Sequence, residues 1–414
     1  MWKFQRRNPN KVSIINSIHL DRIFDSRGNL TVEATIKTQN GGFGRAIAPS
    51  GASTGEYEAI ELPAMDAISA AKKHALPELE NKIDSIDQKQ VDSTLRAADA
   101  TKNFSVIGAN SAVAISLANA KAAADSLNMP LYQYMSATSK LDSFPIPLGN
   151  VIGGGAHAKD STHIQEFLSV PVGASCVFDA ISANTSVHKL AGTLLSDAGY
   201  SRAKGDEGGW AAPISDEVAF NILSQSISKI SKEVGFEIKM GIDVAASELY
   251  DSTKDRYSYG NLNRSKEEQI DYISNLSRDY SLAYIEDPLE ENDFEGFSEL
   301  TKLIGNDSLI CGDDLFATNV ERLKQGIELK SANSILIKPN QIGTLTETIA
   351  AIDLAKENNV MPVISHRSGE TEDNTISHIA FATQAPYIKT GVVGGERTAK
   401  LNELIRIEQE IKTL

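Results

Sequence analysis

Cysteine is nearly missing from this chain. Cys176 and Cys311 are the only two in 414 residues; they lie far apart and lack metal-ligand spacing, so neither a disulfide framework nor a cysteine zinc site is built here. Positive charge is in deficit as well, with 40 Lys and Arg against 55 Asp and Glu and a formal net charge of −15. That balance argues against sequence-independent binding to nucleic acid or to an anionic membrane, both of which reward clustered Lys and Arg. No apolar run is long enough to span a bilayer. The basic start, Met1 to Lys11 with Arg6-Arg7, has no apolar stretch behind it and so does not read as a secretory or twin-arginine signal. The expectations are a short, loosely ordered leader, a cytoplasmic location with room for an additional cell-surface or secreted pool, and small molecules or metal cations as partners.

What the chain does have is ample material for a core. At 41% hydrophobic and 23% charged residues, the composition is that of a soluble globular protein. Its length suits a barrel of about 250 residues plus a smaller domain.

The organisation is clearest from Ser281 to Asn340, where short apolar runs keep ending in one charged residue. Leu282 to Ile285 runs into Glu286, Ser308 to Gly312 into Asp313, and Ser334 to Ile337 into Lys338. These runs are short and β-branched, so they predict strands; Phe294 to Ile304 and Asn319 to Leu329 between them carry apolar residues at three-to-four spacing and predict helices. The pattern extends both ways. Ile238 to Ile242 ends at Asp243, Val360 to Ile364 leads to His366, and Ala385 to Ile388 to Lys389. A repeat of strand, helix and parallel strand is that of a (β/α)8 barrel, whose strand ends all open on one face. Any single charge ending a strand is ordinarily just solvated. Six in succession predict a converging polar site of Asp243, Glu286, Asp313, Lys338, Lys389 and the His366-Arg367 pair.

The part before about Ser139 has a different rhythm. Ser13 to Leu20, Leu30 to Thr38 and Gly42 to Ala48 read as an antiparallel meander, followed by helices over Ala64 to Leu79, Gln88 to Ala97, Gly108 to Ser126 and Pro130 to Met135. Strands first and helices after make a small α+β domain. The division expected is 1–140 for this capping domain and 141–414 for the barrel.

Loops carry further candidates. Asp25 to Asn29 is a turn, and Pro49 to Gly55 is a small-residue loop that is either a plain linker or a lid. Gly149 to Ala158 reads as a Gly-rich loop without the Lys-Ser/Thr of a nucleotide P-loop, and its His157 is equally readable as a surface histidine. Gln165 and Glu166 would lie on opposite faces if His163 to Phe167 is a strand. Glu207, within Gly205-Asp-Glu-Gly-Gly-Trp210, is flanked by glycines that favour a backbone placed close to a ligand.

Taken together, Asp25-Ser-Arg-Gly-Asn29, Ser50-Gly-Ala-Ser-Thr-Gly55, Gln165-Glu-Phe167, Gly205-Asp-Glu-Gly-Gly209, Ser281 to Pro288, Gly312-Asp-Asp314, Asn333 to Gly343, Ser365 to Asp373 and Ile388-Lys-Thr-Gly391 closely resemble enolase, the glycolytic phosphopyruvate hydratase, from about Ile14 to Ile411. The resemblance implies an α/β fold, a modified TIM (β/α)8 barrel whose first connections depart from strict βα order, and Mg²⁺-dependent dehydration of 2-phosphoglycerate to phosphoenolpyruvate. It implies two Mg²⁺ per site and a homodimer or octamer. By the same carry-over, Lys338 is the base, its pKa lowered by Lys389 and metal, and Glu207 is the general acid. Glu166 and Gln165 stand beside that acid, and His157 and His366 complete the site. Arg367 and Ser368 hold phosphate and Lys389 the substrate carboxylate. Asp243, Glu286 and Asp313 ligate one Mg²⁺ and Ser53 the second. Leu30, Gly153, Pro339 and Gly394-Gly395 depart from the commoner bacterial and eukaryotic pattern and resemble archaeal members.

Overall fold

The computed structural model describes residues 12–51, 55–136, 141, 143–158 and 161–413; the expected leader lies outside them. Strands β1 (Ile15–Phe24), β2 (Leu30–Thr38) and β3 (Phe43–Ile47) pair antiparallel in that order. Alternation puts Val32, Ala34 and Ile36 of β2 on one face, and all three are fully buried. The helix Ala109–Ser126 covers this sheet. It is rich in alanine because the sheet comes so close. A Cβ on Gly44 would lie 2.0 Å from the Ala118 carbonyl oxygen and 2.4 Å from the Ala122 nitrogen. The helix expected over Ala64 to Leu79 is two, Ala64–His74 and Leu76–Leu79, because Pro77 lacks the N–H that a continuous helix needs there.

The second part is a closed barrel of eight strands. β4 (Ile146–Gly153) and β5 (Glu166–Val170) form an antiparallel pair, and β6 (Lys239–Asp243) is again antiparallel to β5. β7 (Tyr284–Glu286), β8 (Leu309–Gly312), β9 (Ser334–Ile337), β10 (Met361–Ser365) and β11 (Tyr387–Lys389) follow in parallel, and β11 pairs with β4 to close the ring. The helices Val177–Asp197 and Asp216–Val234 both fall between β5 and β6. The first connections therefore depart from strict βα order, as the family resemblance implied.

One expectation fails here. Gly149 to Gly153 belong to β4 rather than to a loop; only Gly155–His157 form a turn beyond it. Glycine is needed inside the strand at 149 because Val392 and the helix Val177–Asp197 both press on it: a Cβ there would meet Val392 Cγ2 at 2.7 Å and Asn184 of the helix at 2.9 Å.

The barrel interior is layered. Leu148, Leu168, Val170, Tyr284, Cys311, Leu336 and Val363 form an inward apolar cluster. Alternate residues of a strand share a face, so two residues beyond Tyr284, Cys311, Leu336 and Val363 come Glu286, Asp313, Lys338 and Ser365 at the C-terminal mouth. On β5, which runs the other way, Glu166 precedes Leu168. The intervening Ile242, Ile285, Ile310, Ile335, Ile337, Ile364 and Ile388 point outward into the main core. Among the described residues, no helix is long and apolar enough to cross a membrane.

Candidate active site

One wall of the mouth is built by β6 to β9 and β11. Asp243 and Glu286 are direct cross-strand partners, and the Lys389 ammonium lies between them, 3.0 Å from Asp243 Oδ2 and 2.8 Å from Glu286 Oε2. It is also 3.0 Å from Glu166 Oε2. Burial would strip the proton from Lys389, but Asp243, Glu166 and Glu286 more than reverse that and hold it well above the usual lysine range. Lys338 Nζ donates to Asp313 Oδ2, and Gln341 Nε2 donates to Asp313 Oδ1 at 2.9 Å. Burial favours neutral Lys338; the Asp313 carboxylate outweighs burial and raises its pKa, while Arg367 and Lys389 pull the other way. Glu286 is pushed well above the usual carboxylate range by burial and then by Asp243, with Asp313 adding to it.

The adjoining wall carries Glu166, Glu207, His157 and His366, brought from β5, from the loop before Trp210, from the turn after β4 and from the end of β10. His366 Nε2 lies 3.1 Å from Glu207 Oε2. His157 is not a surface residue: its Nδ1 is 3.4 Å from Glu166 Oε1 and its Nε2 3.7 Å from Glu207 Oε1. Burial and the neighbouring Glu207 push Glu166 up to about 7. Burial acts on Glu207 in the same sense, but His366 and His157 hold it well below the ordinary range. Of the two carboxyl groups, Glu166 is thus the one that favours its proton.

Gln165 stands just before β5, and its Nε2 donates to Asp243 Oδ2 at 3.3 Å. Both it and Glu166 line the mouth. The expected split onto opposite faces fails because β5 begins only at Glu166, so Gln165 does not follow the strand's alternation. The glycines around Glu207 also differ from expectation, since the atoms crowding them are the protein's own. A Cβ on Gly208 would meet the Val393 carbonyl oxygen at 2.2 Å, and one on Gly209 would meet Asn150 Oδ1 at 2.4 Å.

Arg367 and Ser368 lie at the rim, buried, beside Lys338 and His366. Arg367 Nη1 donates to Glu58 Oε2 at 2.7 Å. Glu58 comes from the N-terminal domain, and the antiparallel bridge between Ser50 and Gly369 joins the two parts at the same place. Ser53 lies outside the described residues. The sequence reading also missed Asp287, which accepts the backbone N–H groups of Asp313 and Asp314, each at 2.9 Å, and so shapes the turn after β8. It follows Glu286 directly and could have been suspected from that position; Glu58 has no comparable signal.

The donor set suits a hard cation. Asp243, Glu286 and Asp313 are carboxylates on adjacent strands, and Glu286 is strained by the charge of the other two. Both oxygens of Glu166 are buried without an aligned hydrogen bond. Among the described residues, the groups gathering three ligand atoms within 4.8 Å of one another are Asp287, Asp313 and Asp314, and His157, Glu166 and Glu207. The expected triad is not among them. Lys389 stands between Asp243 and Glu286, while Asp313 leans to Lys338 and the Asp287 turn.

A closed barrel with ammonium groups on one wall of its mouth and a carboxyl pair on the other has the layout of an acid–base enzyme. The family model "Enolase, C-terminal TIM barrel domain" matches residues 142–413, and "Enolase, N-terminal domain" matches 15–135. The chain is 59% identical to the enolase of Halorubrum lacusprofundi over 96% of its length and 99% of the relative's. It is 58% identical to that of Natronomonas pharaonis, with 96% and 99% covered, and 51% identical to that of Archaeoglobus fulgidus, with 96% and 97% covered. The chain belongs to the enolase family, and it is an enzyme of the phosphopyruvate hydratase class, a carbon–oxygen lyase. These relatives are archaeal, in keeping with the departures noted at Leu30, Gly153, Pro339 and Gly394-Gly395.

Proposed function

We propose that this enzyme catalyses the Mg²⁺-dependent, reversible dehydration of 2-phospho-D-glycerate to phosphoenolpyruvate in glycolysis and gluconeogenesis, with Lys338 as base and Glu207 as acid. The observation that supports it is that Lys338 and Glu207 line one pocket at the barrel mouth. The proton removed lies α to a carboxylate, so the intermediate is a dianionic ene-diolate that needs positive charge close by. Mg²⁺ held by Asp243, Glu286 and Asp313, with a second ion on Ser53, would supply that charge. A Lys base working with Mg²⁺ is the known pattern of the enolase superfamily rather than a deduction from this geometry.

The chain's own residues have defined tasks in this reading. Asp313 is what keeps Lys338 protonated, so neutralising Asp313 releases the base, and Arg367 and Lys389 already act in that direction. Glu207, which rests ionised, takes the proton that Glu166 retains up to about pH 7 and passes it to the departing hydroxyl. His366 acts on Glu207, while His157 and Gln165 orient the substrate. Arg367 and Ser368 take the phosphate, Arg367 through its forked donors, and Lys389 takes the substrate carboxylate. We extend the reading to residues 1–140 as a capping domain on a catalytic domain 141–414, to a cytoplasmic enzyme and to a homodimer or octamer.

The test is direct: purified protein with Mg²⁺ and 2-phosphoglycerate is expected to generate the ultraviolet absorbance of phosphoenolpyruvate. No turnover above background, or turnover untouched by chelation, defeats the proposal.

A further inference from the structure

Arg397 sits in the first turn of the C-terminal helix Gly395–Thr413, nearly two hundred residues after Glu207. Its side chain is 0% exposed, and its donors converge on one place. Nη1 donates to the Arg367 carbonyl at 2.6 Å and faces His366 Nδ1 at 2.7 Å; Nη2 donates to the Ser368 carbonyl at 2.7 Å and the Asp206 carbonyl at 3.1 Å. A guanidinium has donors only. His366 Nδ1 must therefore accept, and the proton of the neutral ring sits on Nε2, the atom 3.1 Å from Glu207 Oε2.

We propose that Arg397 is a positioning residue for the acid, locking His366 as its neutral Nε2–H tautomer so that the ring always donates to Glu207 and never takes a second proton. A second proton would set two N–H groups head to head across the 2.7 Å contact. The charged groups facing the ring are Glu207 from its glycine-rich loop, Arg397 from the C-terminal helix and Glu370 from the ring's own loop. Burial and Arg397 prevail over the two carboxylates, and His366 is lowered to about 4. His366 is then a fixed hydrogen-bond donor rather than a proton carrier. Because Arg397 also holds the carbonyls of Asp206, Arg367 and Ser368, it ties the acid loop to the loop that carries the expected phosphate contacts. The inference rests on the proposed role of Glu207.

The test uses the full chain with ¹⁵N-labelled histidine. The His366 signals, identified by their loss in His366→Gln, are expected to show a protonated Nε2 and a bare Nδ1, unchanged from about pH 5 to pH 8. A protonated Nδ1, or a ring that titrates in that range, overturns the proposal. In the kinetic arm, Arg397→Lys is expected to lower kcat about 100-fold and to cost several-fold less in a His366→Gln background, since its effect passes through the ring. Equal losses in both backgrounds show a purely structural Arg397 and overturn the proposal. The spectrum of the unsubstituted protein decides the tautomer even where an Arg397 variant fails to fold. Full activity in Glu207→Gln would overturn the acid assignment while the tautomer measurement stands apart.

Discussion

The two walls of the barrel mouth manage buried charge differently. On the base wall each ammonium is set against carboxylates: Lys389 against Asp243, Glu286 and Glu166, and Lys338 against Asp313. On the acid wall the carboxyl groups meet imidazoles, and of the pair Glu166 favours its proton while Glu207 favours its charge. In the proposed reaction the first wall, with its opposite charges, holds cations and anions in turn, and the second moves a proton. Burial disfavours the charged form of both Lys338 and His366, but the Asp313 carboxylate outweighs it at Lys338, whereas at His366 burial together with Arg397 prevails over Glu207 and Glu370.

The comparison can be broken most forcefully at its two ends. Lys338→Ala and Glu207→Gln are each expected to lower kcat by about 10²–10⁴-fold in the phosphoenolpyruvate assay, and a variant with full activity loses its assigned role. On the base wall, Lys389→Met would leave three carboxylates without their shared counter-ion, so a loss of about 3–5 kcal/mol is expected, read as a lower denaturation midpoint. An unchanged midpoint would mean that the ammonium does not balance those charges.

The acid wall is sharpened by pH. Glu166, raised from 4.5 to about 7, is protonated below that value and loses its proton as pH rises through it. Activity that draws on this proton should fall above about pH 7, and Glu166→Gln should lower the plateau and abolish that limb. Stability has the matching sign. Between 4.5 and about 7 the folded state binds more proton at Glu166 than the unfolded chain does, so this group's contribution declines with rising pH, and Glu166→Gln should flatten the slope. An unaltered alkaline limb would place the proton elsewhere. The smallest effect is expected away from both walls: Gly44→Ala, pressed against Ala118 and Ala122, should cost about 1–3 kcal/mol of stability and leave kcat and KM unchanged.

The parts legible in the sequence were those governed by local periodicity. Leu30–Thr38, Phe294–Ile304 and Ser334–Ile337 are found with the expected bounds. The six charged strand ends do open on one mouth, because parallel strands with a period of two place Glu286, Asp313 and Lys338 one step above Tyr284, Cys311 and Leu336. The first barrel strands were harder to read. Glycines at 149 and 153 imitate a loop when their neighbours are unknown, and the reversed direction of β5 leaves no mark in its own residues.

From composition and pattern alone this chain was already an acidic, two-part α/β protein with a barrel-like second half, and its motifs already resembled one enzyme family. What only tertiary structure decided is which charge faces which. Glu58 reaches Arg367 across 309 positions, and Arg397 reaches His366 across 31. Those pairings arise from the closure of the barrel and the docking of the N-terminal sheet. The protonation of Lys338, Glu166 and His366 follows from their neighbours within a few ångströms, and periodicity carries no record of such neighbours.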